Sequence, residues 1–383
     1  MTDPGTFTHF LRPEAAGLPT PHVEIDEQGL MRNLGHMQAR AEAAGLALRP
    51  HIKTHKCLAI ARRQLDLGAV GVTASKPAEA LVFVEAGVPS LTLAYPVVRP
   101  ESITELVRAA TLRGTELRLI VAHQAGVEAI GNAAAAQGVR LPVFLKVDVG
   151  LGRVGVKPQD EAAIRLAAEV DRRPHLTFLG LLSHAGHSYG SKSLAELASI
   201  AEAEAAALCE LAGRLRQAGI EVPEISVGAT PTCLGAPIPR GVTEIRPGNY
   251  AFLDRTALRL DICAPDDLAL AVIATVVAHN DKHFIVDAGS KSLSSDLGAH
   301  GSGGSGFGLA VSMDGTGRAW EVERLSEEHG FVRFSDTAPD IGSRVRIFPN
   351  HSCAVMAQFD SVNLRQADGR TVVLRVDARG RQT

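Results

Sequence analysis

From His22 to Gly228 the chain alternates short apolar runs with longer stretches of helical period, and this beat restricts the fold more than any other feature. The first helical stretch is 26–44, where Leu30, Leu34 and Met37 recur on one face between polar residues. A short strand is expected before that helix at His22–Ile25, and further strands at Leu46–Lys53, Val70–Ala74, Leu91–Tyr95, Leu117–Ala122, Leu141–Val149, Leu176–Ser183 and Glu224–Gly228. Helices fall between them at 58–67, 77–85, 101–113, 124–137, 159–170 and 194–218. Leu141–Val149 is mostly apolar, as a strand buried on both faces of a parallel sheet must be. About eight strand–helix units favour an α/β fold of the (β/α)8, TIM-like barrel type over an open sheet.

Beyond residue 250 the beat changes. Strand-like runs at 268–277, 283–287, 318–322, 330–334, 344–347 and 372–376 are separated by turn-rich segments without a clear helix. The expected organisation is therefore an arm at 1–20 that can join the β-domain, a barrel at 21–250 and an all-β domain at 251–383. Gly301–Gly308 reads as a loop and a poor phosphate cradle, because neither a lysine nor a helix start follows.

Thirty-nine basic residues against 42 acidic ones, with no long like-charge run, argue against nucleic acid or an anionic membrane as the main partner. No apolar stretch approaches the roughly 20 residues of a spanning helix, and the first residues lack a signal-peptide pattern. The five cysteines are scattered and odd in number, which points to reduced thiols and a cytoplasmic location.

Barrel enzymes assemble their sites at the carboxyl ends of the strands, so polar residues there form a test. Lys53 ends the first run, inside Arg49-Pro50-His51-Ile52-Lys53-Thr54-His55-Lys56, where cationic neighbours would favour the neutral, nucleophilic amine. The competing reading of this run is a solvated basic turn. Tyr95, Asp148, Arg153, His184, His187 and Thr230 end or follow later strands. Two stretches suit a phosphate: Gly228-Ala229-Thr230-Pro231-Thr232, with small residues and hydroxyls, and Arg246-Pro247-Gly248-Asn249-Tyr250, with an exposed backbone and a phenol. Each can equally be a tight strand-to-helix turn. In Pro349-Asn350-His351-Ser352-Cys353, residues two apart on an extended segment point to one side, so imidazole and thiolate can reach one ion.

The run from Arg49 to Cys57 resembles the cofactor-lysine motif of the D-serine dehydratase and D-threonine aldolase family, and the later motifs follow in that family's order from about residue 20 to the end. These are alanine-racemase-like pyridoxal-phosphate enzymes of fold type III with a barrel and a β-domain. The resemblance implies that Lys53 carries the cofactor as a Schiff base and that Arg153 approaches its phenolic oxygen. It places His184 against the cofactor ring and adds Tyr189, Gly228, Thr230, Gly248, Asn249 and Tyr250 to the cofactor-binding set. A histidine satisfied in the barrel core is the other reading of His184. The resemblance also implies a metal on His351 and Cys353, with Zn²⁺ favoured by the soft donors over Mn²⁺ or Mg²⁺. A homodimer follows from it as well.

Together these residues imply a lyase acting on a 3-hydroxy-D-amino acid such as D-serine, D-threonine or 3-hydroxy-D-aspartate, a small-molecule substrate. Dehydration would yield a 2-keto acid and ammonia. The alternative is retro-aldol cleavage to glycine and an aldehyde. A racemase would have no use for the metal. A cofactor-holding barrel without catalysis would lack the second domain, and a sugar-phosphate barrel would be colourless.

Overall fold

The computed structural model describes residues 17–299 and 304–383. These residues divide into two compact units. The barrel unit comprises Met37–Lys53, Leu58–Gly248 and Gly380–Thr383. The β-unit takes the described residues up to His36, then Thr54–Cys57 and Asn249–Arg379.

The first half of the chain runs β1 (His22–Asp26), α1 (Glu27–Ala43), β2 (Ala47–Leu48), α2 (Leu58–Asp66), β3 (Val72–Ala74), α3 (Pro77–Glu85), β4 (Ser90–Leu93) and α4 (Pro100–Arg113). It continues through β5 (Glu116–Val121), α5 (Gln124–Gln137), β6 (Leu141–Lys146), α6 (Glu161–Arg172), β7 (Leu176–Leu182), α7 (Leu194–Gln217), β8 (Glu224–Val227), α8 (Thr230–Gly235) and β9 (Glu244–Ile245). Strands β2 to β9 form a parallel sheet of eight in the order β2-β9-β8-β7-β6-β5-β4-β3. Its two ends meet: Ile52 donates to the Thr73 carbonyl and Thr73 to the Pro50 carbonyl, each at 2.8 Å. The parallel barrel expected from the alternation is therefore present. Ile120, Phe144 and Leu182 pack together in its core.

The strand expected at Leu46–Lys53 is shorter, because regular pairing with β9 stops at Leu48 and the chain turns over residues 52–55. Lys53 thus stands in a turn beyond the strand. Arg49, expected to press its charge on Lys53, is buried against Glu244 at 2.7 Å and is neutralised there.

The β-unit contains α9 (Arg255–Arg259), β10 (Leu270–His279), β11 (His283–Val286), α10 (Ser290–Leu293), β12 (Gly308–Ser312), β13 (Ala319–Leu325) and β14 (Gly330–Arg333). It ends with β15 (Arg344–Pro349), α11 (Ser352–Met356), β16 (Ser361–Arg365) and β17 (Thr371–Arg375). Strand β10 pairs with both β11 and β15, so β10-β11-β14-β13-β12-β15 closes into an antiparallel barrel, and β1-β16-β17 extends the sheet from β10. The expected all-β domain is there, with three short helices the sequence pattern does not announce. Strand β1, assigned to the barrel at 21–250 by order alone, lies instead between β10 and β16. Its five residues are all buried, which suits a central strand of either sheet.

Glu24 of β1 receives Arg346 at 2.8 Å and Arg365 at 3.2 Å, and Arg365 also reaches Asp26 at 3.1 Å. All four side chains are buried, so these ions stand or fall together. Most of the arm at 1–20 lies outside the described residues, as do 301–303 of the Gly301–Gly308 loop, whose last residue opens β12.

Candidate active site

In the barrel unit the polar groups gather at the carboxyl ends of β6 to β9. Lys146, the last residue of β6, is buried there, and burial followed by the nearby Arg246 charge pushes its pKa down to about 7. Glu204, also buried, accepts a 2.5 Å hydrogen bond from the Ser183 hydroxyl, and its desolvation pushes its pKa up. Arg246 donates to the Ser226 hydroxyl at 2.8 Å and to the Ser183 carbonyl. Lys146 and Glu204 escaped the sequence reading. A lone lysine at the end of the apolar run Leu141–Val149 was the available signal; Glu204 had none, since it lies on the alanine-rich α7.

The turn holding Lys53 is braced by its own N–H, which lies 3.4 Å from Nδ1 of His51. After β6, Asp148 accepts from the N–H groups of Gly150 and Gly152, each at 3.1 Å, and so shapes the loop that presents Arg153 at the surface. Val147 and Val156 pair across the base of that loop. Arg153 is close enough to bear on the Lys146 amine electrostatically.

His184 follows β7 and its Nδ1 lies 2.5 Å from the carbonyl oxygen of Gly228. A carbonyl only accepts, so Nδ1 carries the hydrogen, and in the neutral ring Nε2 keeps the lone pair. Two of the sequence-predicted residues are thereby brought together. Gly228 has φ 152°, and a Cβ there would stand 2.8 Å from the backbone nitrogen of Arg246, so the close approach of these two loops requires glycine. Thr230 opens α8 and is buried. The neighbouring Thr232 hydroxyl is turned inward onto the Ala229 carbonyl at 3.1 Å. Tyr189 stands on a short 3₁₀ turn, Gly186–Gly190. Beside it the buried His187 Nδ1, Ser188 Oγ and Ser191 Oγ have no hydrogen-bond partner. Orphaned polar atoms at the catalytic end of a barrel fit a polar ligand such as pyridoxal phosphate. Tyr95 carries the Lys76 ammonium 4.4 Å from its ring centre.

In the β-unit the expected exposed phosphate segment is a correction: Asn249 and Tyr250 are buried, and only Gly248, at the end of the barrel unit, is partly open. The Asn249 amide donates to Asp254 at 2.7 Å and its oxygen accepts from the Ser352 hydroxyl at 2.8 Å. Both ends of its side-chain amide are thus engaged within the β-unit, and its backbone carbonyl accepts from the Phe252 and Leu253 N–H groups. Asp254 in turn caps α9 and accepts from the Ser352 N–H at 3.0 Å, which ties the start of α11 to the start of α9. Burial pushes the Asp254 pKa upward against these donors.

The segment from Pro349 to Cys353 is not extended throughout. His351 is extended and immediately precedes α11 without a side-chain capping bond, while Cys353 sits in the helix's first turn. The two side chains still come within hydrogen-bonding reach of one another. Burial opposes a charge on His351, but Cys353 and then Asp296 outweigh it and its pKa is pushed up to about 11. Asp296 Oδ2 lies 2.8 Å from His351 Nδ1, and the Cys353 sulfur lies 3.2 Å from the Thr54 hydroxyl. An imidazole and a thiol held side by side fit a divalent ion that keeps open positions. Among the described residues no group of three or more histidine, cysteine or acidic side chains is arranged to hold a metal.

Two family models cover most of this architecture. Alanine racemase, N-terminal domain, matches residues 25–256, and a serine dehydratase domain matches residues 269–364. D-threo-3-hydroxyaspartate dehydratase of Delftia sp. (strain HT23) is 35% identical over 364 residues, 92% of this chain and 95% of the relative. The chain belongs to the D-serine dehydratase and D-threonine aldolase family. Within that family, D-threonine aldolase of Arthrobacter sp. is 32% identical over 341 residues, 88% of this chain and 86% of the relative. A solved cysteine-to-alanine mutant of D-threo-3-hydroxyaspartate dehydratase, in its metal-free form, matches with a TM-score of 0.87 at 33% identity, covering 95% of this chain and 99% of that one. Membership of the D-serine dehydratase and D-threonine aldolase family agrees with the resemblance read from Arg49 to Cys57.

Proposed function

We propose that this chain is a pyridoxal-phosphate- and metal-dependent dehydratase that converts a 3-hydroxy-D-amino acid to a 2-keto acid and ammonia. The observation that carries the reading is the pairing of His351 with Cys353 at the start of α11, backed by Asp254 and Asp296. Bound pyridoxal phosphate supplies the electron sink at Cα, and the bound ion stabilises the β-oxygen as it departs.

Lys53 is the residue assigned to hold the cofactor, and its free amine would be the base for the Cα proton. His51 braces the turn that presents Lys53. Arg153 is assigned to the cofactor's phenolic oxygen, and Gly228, Thr230, Gly248 and the backbone at Asn249 and Tyr250 to its phosphate. Tyr189 is assigned to the cofactor as well. His184, with a hydrogen fixed on Nδ1, turns Nε2 to the cofactor ring in this assignment. His351 and Cys353 are assigned to the ion. Zinc suits their softness better than Mn²⁺ or Mg²⁺.

Retro-aldol cleavage is the second reading, supported by the similarity to D-threonine aldolase. The thiol of Cys353, in place of an acid, favours the dehydratase. A cytoplasmic homodimer belongs to the same proposal. All five cysteines are free, as a reducing compartment would keep them, and among the described residues no helix is long and apolar enough to cross a membrane. Incubation of the purified protein with D-serine, D-threonine and 3-hydroxy-D-aspartate tests the reading. Keto acid with ammonia is expected; glycine with an aldehyde would establish the aldolase instead.

A further inference from the structure

We propose that Asp296 is a positioning residue that aims the ring of His351 at the metal, an inference that rests on the reading of His351 and Cys353 as a metal pair. Asp296 Oδ2 is 2.8 Å from His351 Nδ1. An ionised carboxylate only accepts, so Nδ1 keeps its hydrogen, and when the ring gives up its other proton to an incoming ion the lone pair is confined to Nε2. Without that partner the neutral ring divides between two tautomers and turns more freely about its Cβ–Cγ bond. The tautomer with its hydrogen on Nε2 then offers the ion an N–H.

An ion pair with one partner as open as Asp296, whose side chain is 47% exposed, adds little to stability. Its use is directional, and the surroundings hold it in place. The Asp296 N–H donates to the Ser294 hydroxyl at 3.1 Å, and the Asp296 carbonyl accepts from the Asn350 amide at 3.4 Å. Asn350 also donates to the Gly306 carbonyl at 2.8 Å and accepts from Arg259 at 2.7 Å. The residue just before His351 is therefore fixed on the same segment that supplies the carboxylate. Partners of this kind on a ligating histidine affect metal affinity by roughly 10–100-fold.

The test uses the full-length protein with pyridoxal phosphate bound, stripped of metal and titrated with Zn²⁺ against a chromophoric chelator. The wild type should take one ion per chain and His351→Ala should lose it. Asp296→Ala should bind zinc roughly 10–100-fold more weakly, and Asp296→Asn less so, because its amide oxygen still accepts. Both variants should keep the metal-free unfolding midpoint. Zinc affinity within about twofold of wild type in both variants would overturn the proposal, as would a weakened affinity matched by an equal loss of metal-free stability. A wild type that takes no zinc removes the metal pair itself and this role with it.

Discussion

The sulfur of Cys353 lies 3.2 Å from the hydroxyl oxygen of Thr54, the residue that follows Lys53 in the chain. With a thiol the sulfur donates; once the thiolate forms to bind an ion, the hydroxyl must turn and donate to it. A hydrogen bond to a charged acceptor is about twice as strong as a neutral one. Thr54 is fully buried, so Thr54→Val keeps the packing and removes only this bond. Zinc affinity should fall about tenfold in that variant while the cofactor remains attached. An unchanged zinc titration would mean that Thr54 serves only to pack the turn.

Lys53→Ala should abolish both turnover and the near-visible absorbance of a lysine-bound cofactor. If the absorbance persists, the cofactor sits on another lysine. Lys56 is the first to check, although it is buried, has φ 54°, and has its carbonyl held by the Ala378 N–H at 3.0 Å.

Arg153→Ala should keep the lysine-bound absorbance but release cofactor faster on dialysis. The side chain is exposed and its loop is shaped by Asp148, so the fold should not suffer. Equal retention in variant and wild type would remove Arg153 from the cofactor's contacts.

Lys146 should make stability depend on pH. Its folded pKa is lowered to about 7 by burial and by Arg246, whereas an unfolded lysine titrates near 10.4. Between these values the unfolded chain holds more protons than the folded one, so stability rises with pH over that window. Below about pH 7 both states are protonated and the penalty is complete. Lys146→Met should flatten the rise, which urea midpoints from pH 7 to 9.5 would reveal. Superimposable profiles for the two proteins would show the amine to be solvated.

The barrel was legible because its strands are short apolar runs separated by helices of clear period, as at Leu141–Lys146 followed by Glu161–Arg172. The β-unit was harder. Strand β1 is only five residues long, and nothing local says which sheet will take it. Strands β9, β12 and β16 went unread: Glu244–Ile245, the barrel's eighth strand, is only two residues long, Gly308–Ser312 follows a glycine-rich loop, and Ser361–Arg365 alternates polar with apolar residues. The pair His351 and Cys353 could be picked from spacing and residue type, but not its helical setting. Nor could Asp254 or Asp296, whose contacts with Ser352 and His351 cross 98 and 55 positions of the chain. Asn249 shows the converse: a polar residue in a promising loop whose amide is taken up by Asp254 and Ser352.

The division of labour between Lys53 and the His351–Cys353 pair is tested most directly by measuring elimination from 3-hydroxy-D-aspartate or D-serine before and after chelation. His351→Ala, and Cys353→Asp supplemented with Mn²⁺, are run alongside. Stabilising a departing oxygen is worth several kcal/mol, and each 1.4 kcal/mol is about a tenfold rate change, so chelation or His351→Ala should lower keto-acid formation by at least roughly a hundredfold. The cofactor absorbance should still respond to added D-amino acid, since that exchange requires only Lys53 and an amine. Cys353→Asp should regain activity with Mn²⁺, a harder ion suited to a carboxylate. A metal-free protein that eliminates at the full rate would contradict the account and leave His351 and Cys353 as an ordinary helix start in the β-unit.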